Sequence, residues 1–274
     1  MDGIGIHLTM WENGQLQEKD LEVSDRWEIH TAHLVTVTIN EIKVSLHQKP
    51  HALNYDKIGV GACVWEGELL LAAYLCSLPR HRFMGARCIE LGAGPGLAGL
   101  FMAKMGAKVV LTDKASVLDL LQDNVDLNGL RTATNERHSS TLVGCGYDPG
   151  LPKLFGRMGA QCGTADVRAL EWGAEGYEEL VASLAPQEWV LAADCCYIDN
   201  EGDSPSTPHF VTACHGLCGP TTQCLVSFEL RSEAVKEVFL RETARLFSKV
   251  TRIPTSSLPR GCRVEHIELY QLQI

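Results

Sequence analysis

The alternation of apolar and polar residues is clearest near the start of the chain. Apolar residues occupy every second position over 35–39 and again over 42–46, with the polar pair Asn40-Glu41 between the two runs. Because successive side chains of a strand point to opposite faces, this period of two predicts an antiparallel hairpin. Residues 1–26 are polar and aperiodic, and Pro50 ends the pattern. We expect residues 1–50 to form an extension, with its hairpin packed on a main domain at 51–274.

Helical and strand patterns alternate from residue 65 onward. Apolar residues at helical spacing predict helices at 65–78, 97–105, 115–127, 176–185 and 232–247. Short runs of β-formers predict strands at 88–91, 108–112, 166–170, 189–193 and 223–228, and the last segment, 264–274, is also rich in them. Such alternation predicts an α/β fold, with a parallel sheet, helices on both faces, and ligands at the carboxyl ends of the strands.

One stretch, at about 132–164, shows no sustained period and contains six glycines. A loop of this length is unusual inside a compact domain. We interpret it as an insertion that forms a lid, a partner-binding loop or tolerated surface.

Composition narrows the class of protein. The 274 residues are 45% apolar, and 34 acidic against 24 basic residues give a net charge of −10. This balance disfavours nucleic acid as the main partner, since phosphate binding relies on Lys and Arg clusters. Eleven cysteines, an odd number without regular spacing, favour a reduced intracellular protein. With no signal-peptide pattern and no apolar run of membrane length, we expect a cytoplasmic or also nuclear protein that is not membrane-bound.

The most informative segment is Glu90-Leu91-Gly92-Ala93-Gly94-Pro95-Gly96, where a predicted strand turns into a predicted helix. Glycines there let the backbone turn tightly and approach a ligand. Asp113, at the end of the next strand, is placed to accept hydrogen bonds from ribose hydroxyls. The G-x-G-x-G spacing differs from the dinucleotide G-x-G-x-x-G pattern, and Glu90 would repel a pyrophosphate. A cationic cofactor tolerates that acid, so S-adenosylmethionine is favoured over NAD.

Four motifs together resemble the class I, seven-β-strand methyltransferases, with their Rossmann-like sheet and helices on both faces. They are Gly61-Ala62-Cys63-Val64-Trp65-Glu66, the glycine segment with Asp113, Leu170-Glu171-Trp172-Gly173, and Asp194-Cys195-Cys196-Tyr197. Within that class the chain is similar to the methyltransferase-like protein-lysine methyltransferases, which include the valosin-containing-protein, Hsp70, elongation-factor and calmodulin enzymes. A further match, Phe228-Glu229-Leu230-Arg231, favours the valosin-containing-protein branch. The resemblance covers about residues 30–274.

The resemblance implies transfer of a methyl group from S-adenosylmethionine to the ε-amine of a lysine in a protein substrate. By resemblance that substrate is a chaperone, an AAA ATPase or a translation factor, and the enzyme acts as a monomer. The implied cofactor-binding residues are Trp65, Glu90, Gly92, Ala93, Gly94, Gly96, Asp113, Trp172 and Ala193. The implied catalytic residues are Asp194, which would attract and orient the amine, Tyr197, which would supply an aromatic wall, and Glu229.

Alternatives remain open at the level of sequence. The nucleophile could instead be a protein histidine or a small molecule, or the chain could be a cofactor-binding scaffold that has lost transfer. The His and Cys residues between 209 and 224 include a zinc-like Cys-x3-Cys spacing, but no second cysteine pair follows, so we expect no metal. Substrate specificity is expected to reside in the hairpin, the 132–164 stretch and the acidic segment 198–208.

Overall fold

The structure is a computed structural model of the whole chain, and it describes residues 4–12, 15–21, 28–52, 59–130, 163–197, 203–260 and 263–274. In these residues the chain forms two sheets. The smaller sheet has the strand order β2-β1-β3-β4 and is antiparallel throughout. Its strands are β1 (Ile4–Glu12), β2 (Gln15–Leu21), β3 (Leu34–Ile39) and β4 (Ile42–His47).

The larger sheet has seven strands in the order β10-β11-β9-β8-β5-β6-β7. They are β5 (Arg87–Leu91), β6 (Lys108–Asp113), β7 (Thr164–Ala169), β8 (Trp189–Ala193), β9 (Gln223–Glu229), β10 (Lys249–Arg252) and β11 (Ile267–Gln273). The neighbours from β9 to β7 pair in parallel, whereas β11 runs antiparallel to both β9 and β10. The central strands read as continuous apolar runs because helices bury both of their faces.

Among the described residues, three helices cover each face of this sheet. One face carries α1 (Glu66–Ser77), α2 (Leu97–Lys104) and α3 (Leu118–Leu127), whose buried side chains join the smaller sheet in one core. The other carries α4 (Tyr177–Leu184), α5 (Ser206–Leu217) and α6 (Glu233–Leu246), around Phe210 and Phe239. None of the helices in the described part of the chain is both long and apolar enough to cross a membrane.

Asn124 of α3 and Asn128, the residue that follows this helix, fix the smaller sheet against it. Asn124 accepts a hydrogen bond from the His47 amide at 2.7 Å and donates to the His47 carbonyl at 3.1 Å. Asn128 makes the same pair of bonds with the backbone of Ser45, at 3.2 and 2.7 Å. The side-chain amides therefore bind β4 as a neighbouring strand would. Gln48, just beyond β4, accepts from the Val64 amide at 2.7 Å and so holds the segment before α1.

The structure confirms the hairpin, whose strands pair Val37 with Val44 around the turn at Asn40-Glu41. It corrects the sheet from parallel to mixed, because the C-terminal hairpin β10-β11 adds two strands, one of which is reversed. Sequence analysis missed β1 and β2 in the polar N-terminal stretch, and it missed β10 and α5. The predicted third strand, 166–170, is displaced, since β7 begins at Thr164. Residues 131–162, nearly all of the predicted insertion, lie outside the described residues.

Candidate active site

The carboxyl ends of β5, β6 and β8 border a cavity of about 220 Å³ that the segment before α1 closes on one side. This is the edge of the sheet at which α/β proteins bind ligands. The cavity brings together eight of the predicted site residues: Trp65, Gly92, Gly94, Asp113, Trp172, Ala193, Asp194 and Tyr197. Glu68, Lys114, Cys195 and Arg231 also line it, and sequence analysis assigned no role to these four.

Gly92 forms the tightest point of the glycine turn. Its φ is +59°, in the left-handed region that side chains disfavour. A Cβ at this position would lie 2.7 Å from the Cys195 sulfur and 3.0 Å from the Trp172 ring. The missing side chain therefore lets Cys195 and Trp172 pack directly against the turn.

Asp113 ends β6 and braces this turn. Its carboxylate accepts hydrogen bonds from the Gly94 amide and the Lys114 amide, both at 2.8 Å. Burial raises the pKa of Asp113, and the two backbone amides oppose that rise. Each carboxylate oxygen keeps a further lone pair, so the group can hold the turn and still accept from a ligand hydroxyl.

Trp172 forms the aromatic wall opposite the turn. Its ring packs against Phe210, with centroids 5.0 Å apart, and is half-buried. The indole N–H is buried without a hydrogen-bond partner, although buried polar groups are almost always paired. An unpaired donor and an aromatic face beside the glycine turn suit a planar heterocycle.

Trp65 stands at the start of α1 between two other side chains. The His30 ring lies at a centroid distance of 4.5 Å, and the Arg231 guanidinium lies 4.5 Å from the indole centroid. The indole N–H donates to the Val60 carbonyl at 2.8 Å. The ring is thereby fixed from three directions, and its exposed part contributes to the cavity wall.

Asp194 has an unusual backbone and a fully engaged carboxylate. Its φ is +51°, which only a small fraction of residues other than glycine adopt. One carboxylate oxygen accepts from the Gly67 amide at 3.0 Å, and the other accepts from the Glu229 amide at 2.9 Å. Burial, followed by the negative charge of Glu229, raises the pKa of Asp194 from 3.8 to about 6. The side chain therefore links β8, α1 and β9 while it faces the cavity.

The two other predicted catalytic residues differ in position. Tyr197 lies at the cavity mouth, with 46% of its surface exposed. Glu229 does not line the cavity; its side chain is paired with Arg231, and its backbone amide holds Asp194. The acidic segment predicted at 198–208 is described only from residue 203, and α5 begins within it at Ser206.

Three predicted cofactor residues lie behind the cavity wall. Glu90 is 1% exposed, and one of its oxygens accepts from the Gly99 amide of α2 at 2.8 Å. The Ala93 amide donates to the Thr112 carbonyl, and a Cβ on Gly96 would lie 2.7 Å from a Leu121 methyl group. These residues shape the turn from beneath and do not reach the cavity.

The structure describes eight of the eleven cysteines. Of the described residues, no group of three or more His, Cys, Asp or Glu side chains could hold a metal ion. Cys214 and Cys224 are buried, and burial is among the causes that raise the pKa of the Cys224 thiol. The described cysteines are free thiols, and all but Cys196 and Cys218 are buried.

The architecture is the class I methyltransferase fold. The structure superposes on the 16S rRNA N2 G1207 methyltransferase RsmC of T. thermophilus, solved with AdoMet and guanosine, with a TM-score of 0.52. That likeness covers 97% of this chain and 57% of the other, at 15% identity, and it concerns the fold alone. The predicted seven-stranded sheet is confirmed.

The resemblance to the protein-lysine methyltransferases is also confirmed. Residues 47–143 match the sequence model of a family described as lysine methyltransferase. The chain is 30% identical over 186 residues to EEF1A lysine methyltransferase 3 of Mus musculus, covering 68% of this chain and 63% of that protein. It is 29% identical over 211 residues to the protein N-lysine methyltransferase METTL21A of Danio rerio, and this match covers 76% of this chain and 78% of that protein. The valosin-containing-protein branch stays a prediction.

The match spans less than two thirds of the mouse relative's length. The family segment, 47–143, contains Trp65, the glycine turn and Asp113, but it ends before Trp172 and Asp194. The roles of those later residues are therefore argued from the geometry of the cavity.

Proposed function

We propose that this protein transfers a methyl group from S-adenosylmethionine to the ε-amine of a lysine in a protein substrate. The observation that carries the proposal is the cavity itself. Its wall contains the glycine turn, the Asp113 carboxylate and the Trp172 ring, together with Asp194 and the partly exposed Tyr197. A nucleoside site beside an acidic and aromatic site is what such a transfer needs.

The nucleoside site suits S-adenosylmethionine. Gly92 and Gly94 line the cavity with bare backbone, and the buried Trp172 indole N–H lacks a partner. Asp113 has lone pairs for the ribose hydroxyls, while Trp172 offers a face to the adenine. The T. thermophilus RsmC structure, solved with AdoMet, shares this fold, which supports the same cofactor here.

Methyl transfer depends more on the alignment of the amine with the methyl group than on the strength of a general base. When bound, the cofactor supplies a methyl group activated by a sulfonium, and the amine must approach in line with it. Lysine has an ordinary pKa of about 10.4, so it arrives protonated. Asp194, with a pKa of about 6, is mostly ionised at neutral pH and attracts that ammonium. Because its oxygens already accept two backbone hydrogen bonds, Asp194 orients the amine better than it removes the proton.

The mouth of the cavity favours a basic protein segment. Tyr197 offers an exposed ring there, and Glu171 is an exposed acid on the same rim. The names of the mouse and zebrafish relatives, an EEF1A lysine methyltransferase and a protein N-lysine methyltransferase, support a protein substrate. We further propose that the substrate is a chaperone, an AAA ATPase or a translation factor. The proposal also has the enzyme act as a monomer in the cytoplasm or the nucleus.

The experiment is incubation of the purified protein with extract and S-adenosylmethionine carrying a labelled methyl group. Mass spectrometry of the labelled band should locate the label on a lysine side chain. A label on histidine or on a small molecule would instead establish one of the alternative nucleophiles.

A further inference from the structure

Glu68, on the first turn of α1, is a buried acid for which the fold supplies no partner. It is 4% exposed and lines the cavity, yet neither of its carboxylate oxygens has a hydrogen-bond partner within bonding distance. A buried carboxyl without partners is costly and uncommon. Two unpaired oxygens at the wall of a cavity therefore point to a ligand group that carries donors or positive charge.

The charged groups that act on Glu68 are themselves acids. Burial raises the pKa of Glu68 well above its usual value, and Glu90 of β5, Asp194 after β8 and Asp113 of β6 raise it further. The backbone amide of Trp65 lowers the pKa of Glu68, but it does not cancel the effects of burial and of the neighbouring acids. A second oxygen of Glu90 is also buried without a partner. This end of the cavity thus brings four carboxyl groups close together.

Two of the neighbouring charged side chains, Glu66 and Arg231, have partners of their own. Glu66, on the same turn of α1, bonds to His266 at 3.0 Å. Arg231 is paired with Glu229 and lies over Trp65. Lys114 follows Asp113, at the ribose end of the cavity.

We propose that Glu68 is the counter-ion for the α-ammonium of S-adenosylmethionine, an inference that rests on the cofactor of the proposed function. With the adenosine held by Asp113 and Trp172, the cofactor's amino-acid end is what remains to meet the acid on α1. An ammonium supplies three donors and one positive charge, which matches the two unpaired Glu68 oxygens. The cation would also relieve the repulsion among the four carboxyl groups.

The test measures binding without any protein substrate. Titration calorimetry compares S-adenosylhomocysteine, which has the α-ammonium, with 5′-methylthioadenosine, which lacks the amino-acid tail. We expect Glu68→Gln to lower the affinity for S-adenosylhomocysteine at least about tenfold, or about 1.4 kcal/mol. The affinity for 5′-methylthioadenosine should fall less than about threefold. Decarboxylated S-adenosylhomocysteine, which keeps the amine, should remain sensitive to the variant. Glu66→Gln, two residues away on the same helical turn, is the matched control and should leave these affinities unchanged.

A second readout is proton release. Burial raises the pKa of Glu68, whereas an ammonium beside the carboxyl favours its ionised form and should lower that pKa. Calorimetry in two buffers of different ionisation heat should therefore detect proton release at pH 7. Release should accompany S-adenosylhomocysteine and be absent with 5′-methylthioadenosine. This measurement on the wild-type protein decides the matter even if Glu68→Gln does not fold.

Equal weakening of both ligands by Glu68→Gln, or no weakening of either, would overturn the role of Glu68. Equal proton release with both ligands would overturn it as well. Because no lysine substrate is present in these titrations, a failure to methylate lysine would overturn the proposed activity alone. Absence of S-adenosylhomocysteine binding to the wild-type protein would overturn both.

Discussion

Gly67 and Asp194 are 127 positions apart in sequence, yet the Gly67 amide donates to the Asp194 carboxylate at 3.0 Å. A Cβ on Gly67 would lie only 2.4 Å from the same oxygen. The Gly67 carbonyl in turn accepts from the Ser227 hydroxyl at 3.0 Å. The first turn of α1 is therefore fitted directly onto the ends of β8 and β9, and the position of Asp194 in the cavity wall depends on this contact.

Gly67→Ala should destabilise the protein and displace Asp194. The added methyl group cannot be accommodated without movement of the carboxylate, and overpacking of this kind costs about 1–3 kcal/mol. Urea unfolding should show that loss, together with reduced methyl transfer. Gly5→Ala is the control, since its Cβ would meet its nearest neighbour at 3.9 Å. Unchanged stability of Gly67→Ala would contradict the tight fit.

Asp194→Asn should separate the charge of this residue from its structural role. Asparagine keeps one oxygen acceptor, so we expect folding to persist with a loss of about 1 kcal/mol. Methyl transfer should fall at least about a hundredfold, because the attraction for the lysine ammonium is lost. S-adenosylhomocysteine affinity, measured by calorimetry, should change little. Asp194→Ala also leaves the Gly67 and Glu229 amides unpaired and should be the less stable variant. Full turnover by Asp194→Asn would exclude an electrostatic role.

Asp113→Ala should weaken cofactor binding strongly. It removes the ribose acceptor and frees the Gly94 amide, so S-adenosylhomocysteine affinity should drop at least about tenfold, or about 1.4 kcal/mol. Asp119→Ala, at an exposed position on α3, controls for a general loss of charge. Equal affinities of the Asp113 variant and the wild-type protein would remove Asp113 from the cofactor site.

The empty protein should lose stability as the pH rises. Burial raises the pKa of Glu90 from 4.5 to about 8. Between these values the folded protein holds a proton that the unfolded chain releases, so the free energy of unfolding falls with increasing pH. This contribution is complete below about pH 4.5 and is lost by about pH 8.

Urea unfolding between pH 5 and pH 8 measures this dependence. Glu90→Gln keeps an acceptor for the Gly99 amide and cannot ionise, so its stability should vary less with pH than that of the wild-type protein. Identical slopes for the two proteins would show that Glu90 does not titrate in this range.

The sequence predicted the parts of the site that depend on local pattern. The glycine turn and Asp113 follow strands with apolar runs that are easily seen, and Trp172 follows the next strand, β7. They meet because the carboxyl ends of parallel strands share one edge. The hairpin was predicted because its turn and its period of two coincide.

The missed elements depend on contacts between distant segments. The strand β2 is almost wholly exposed, so it carries no apolar pattern and exists through pairing with β1. The helix α5 begins among prolines and serines, and it buries Phe210 and Cys214 between polar residues. Glu68 reads in sequence as one more acid in the first turn of a helix. Only the tertiary structure shows that it is buried against the cavity.

The proposed activity is tested most directly by mass spectrometry after incubation with methyl-labelled S-adenosylmethionine and extract. The account predicts label on a lysine side chain of a protein with the wild-type enzyme, and a severe loss of that label with Asp194→Asn. Label found only on another nucleophile, or equal lysine labelling by the two proteins, would contradict it.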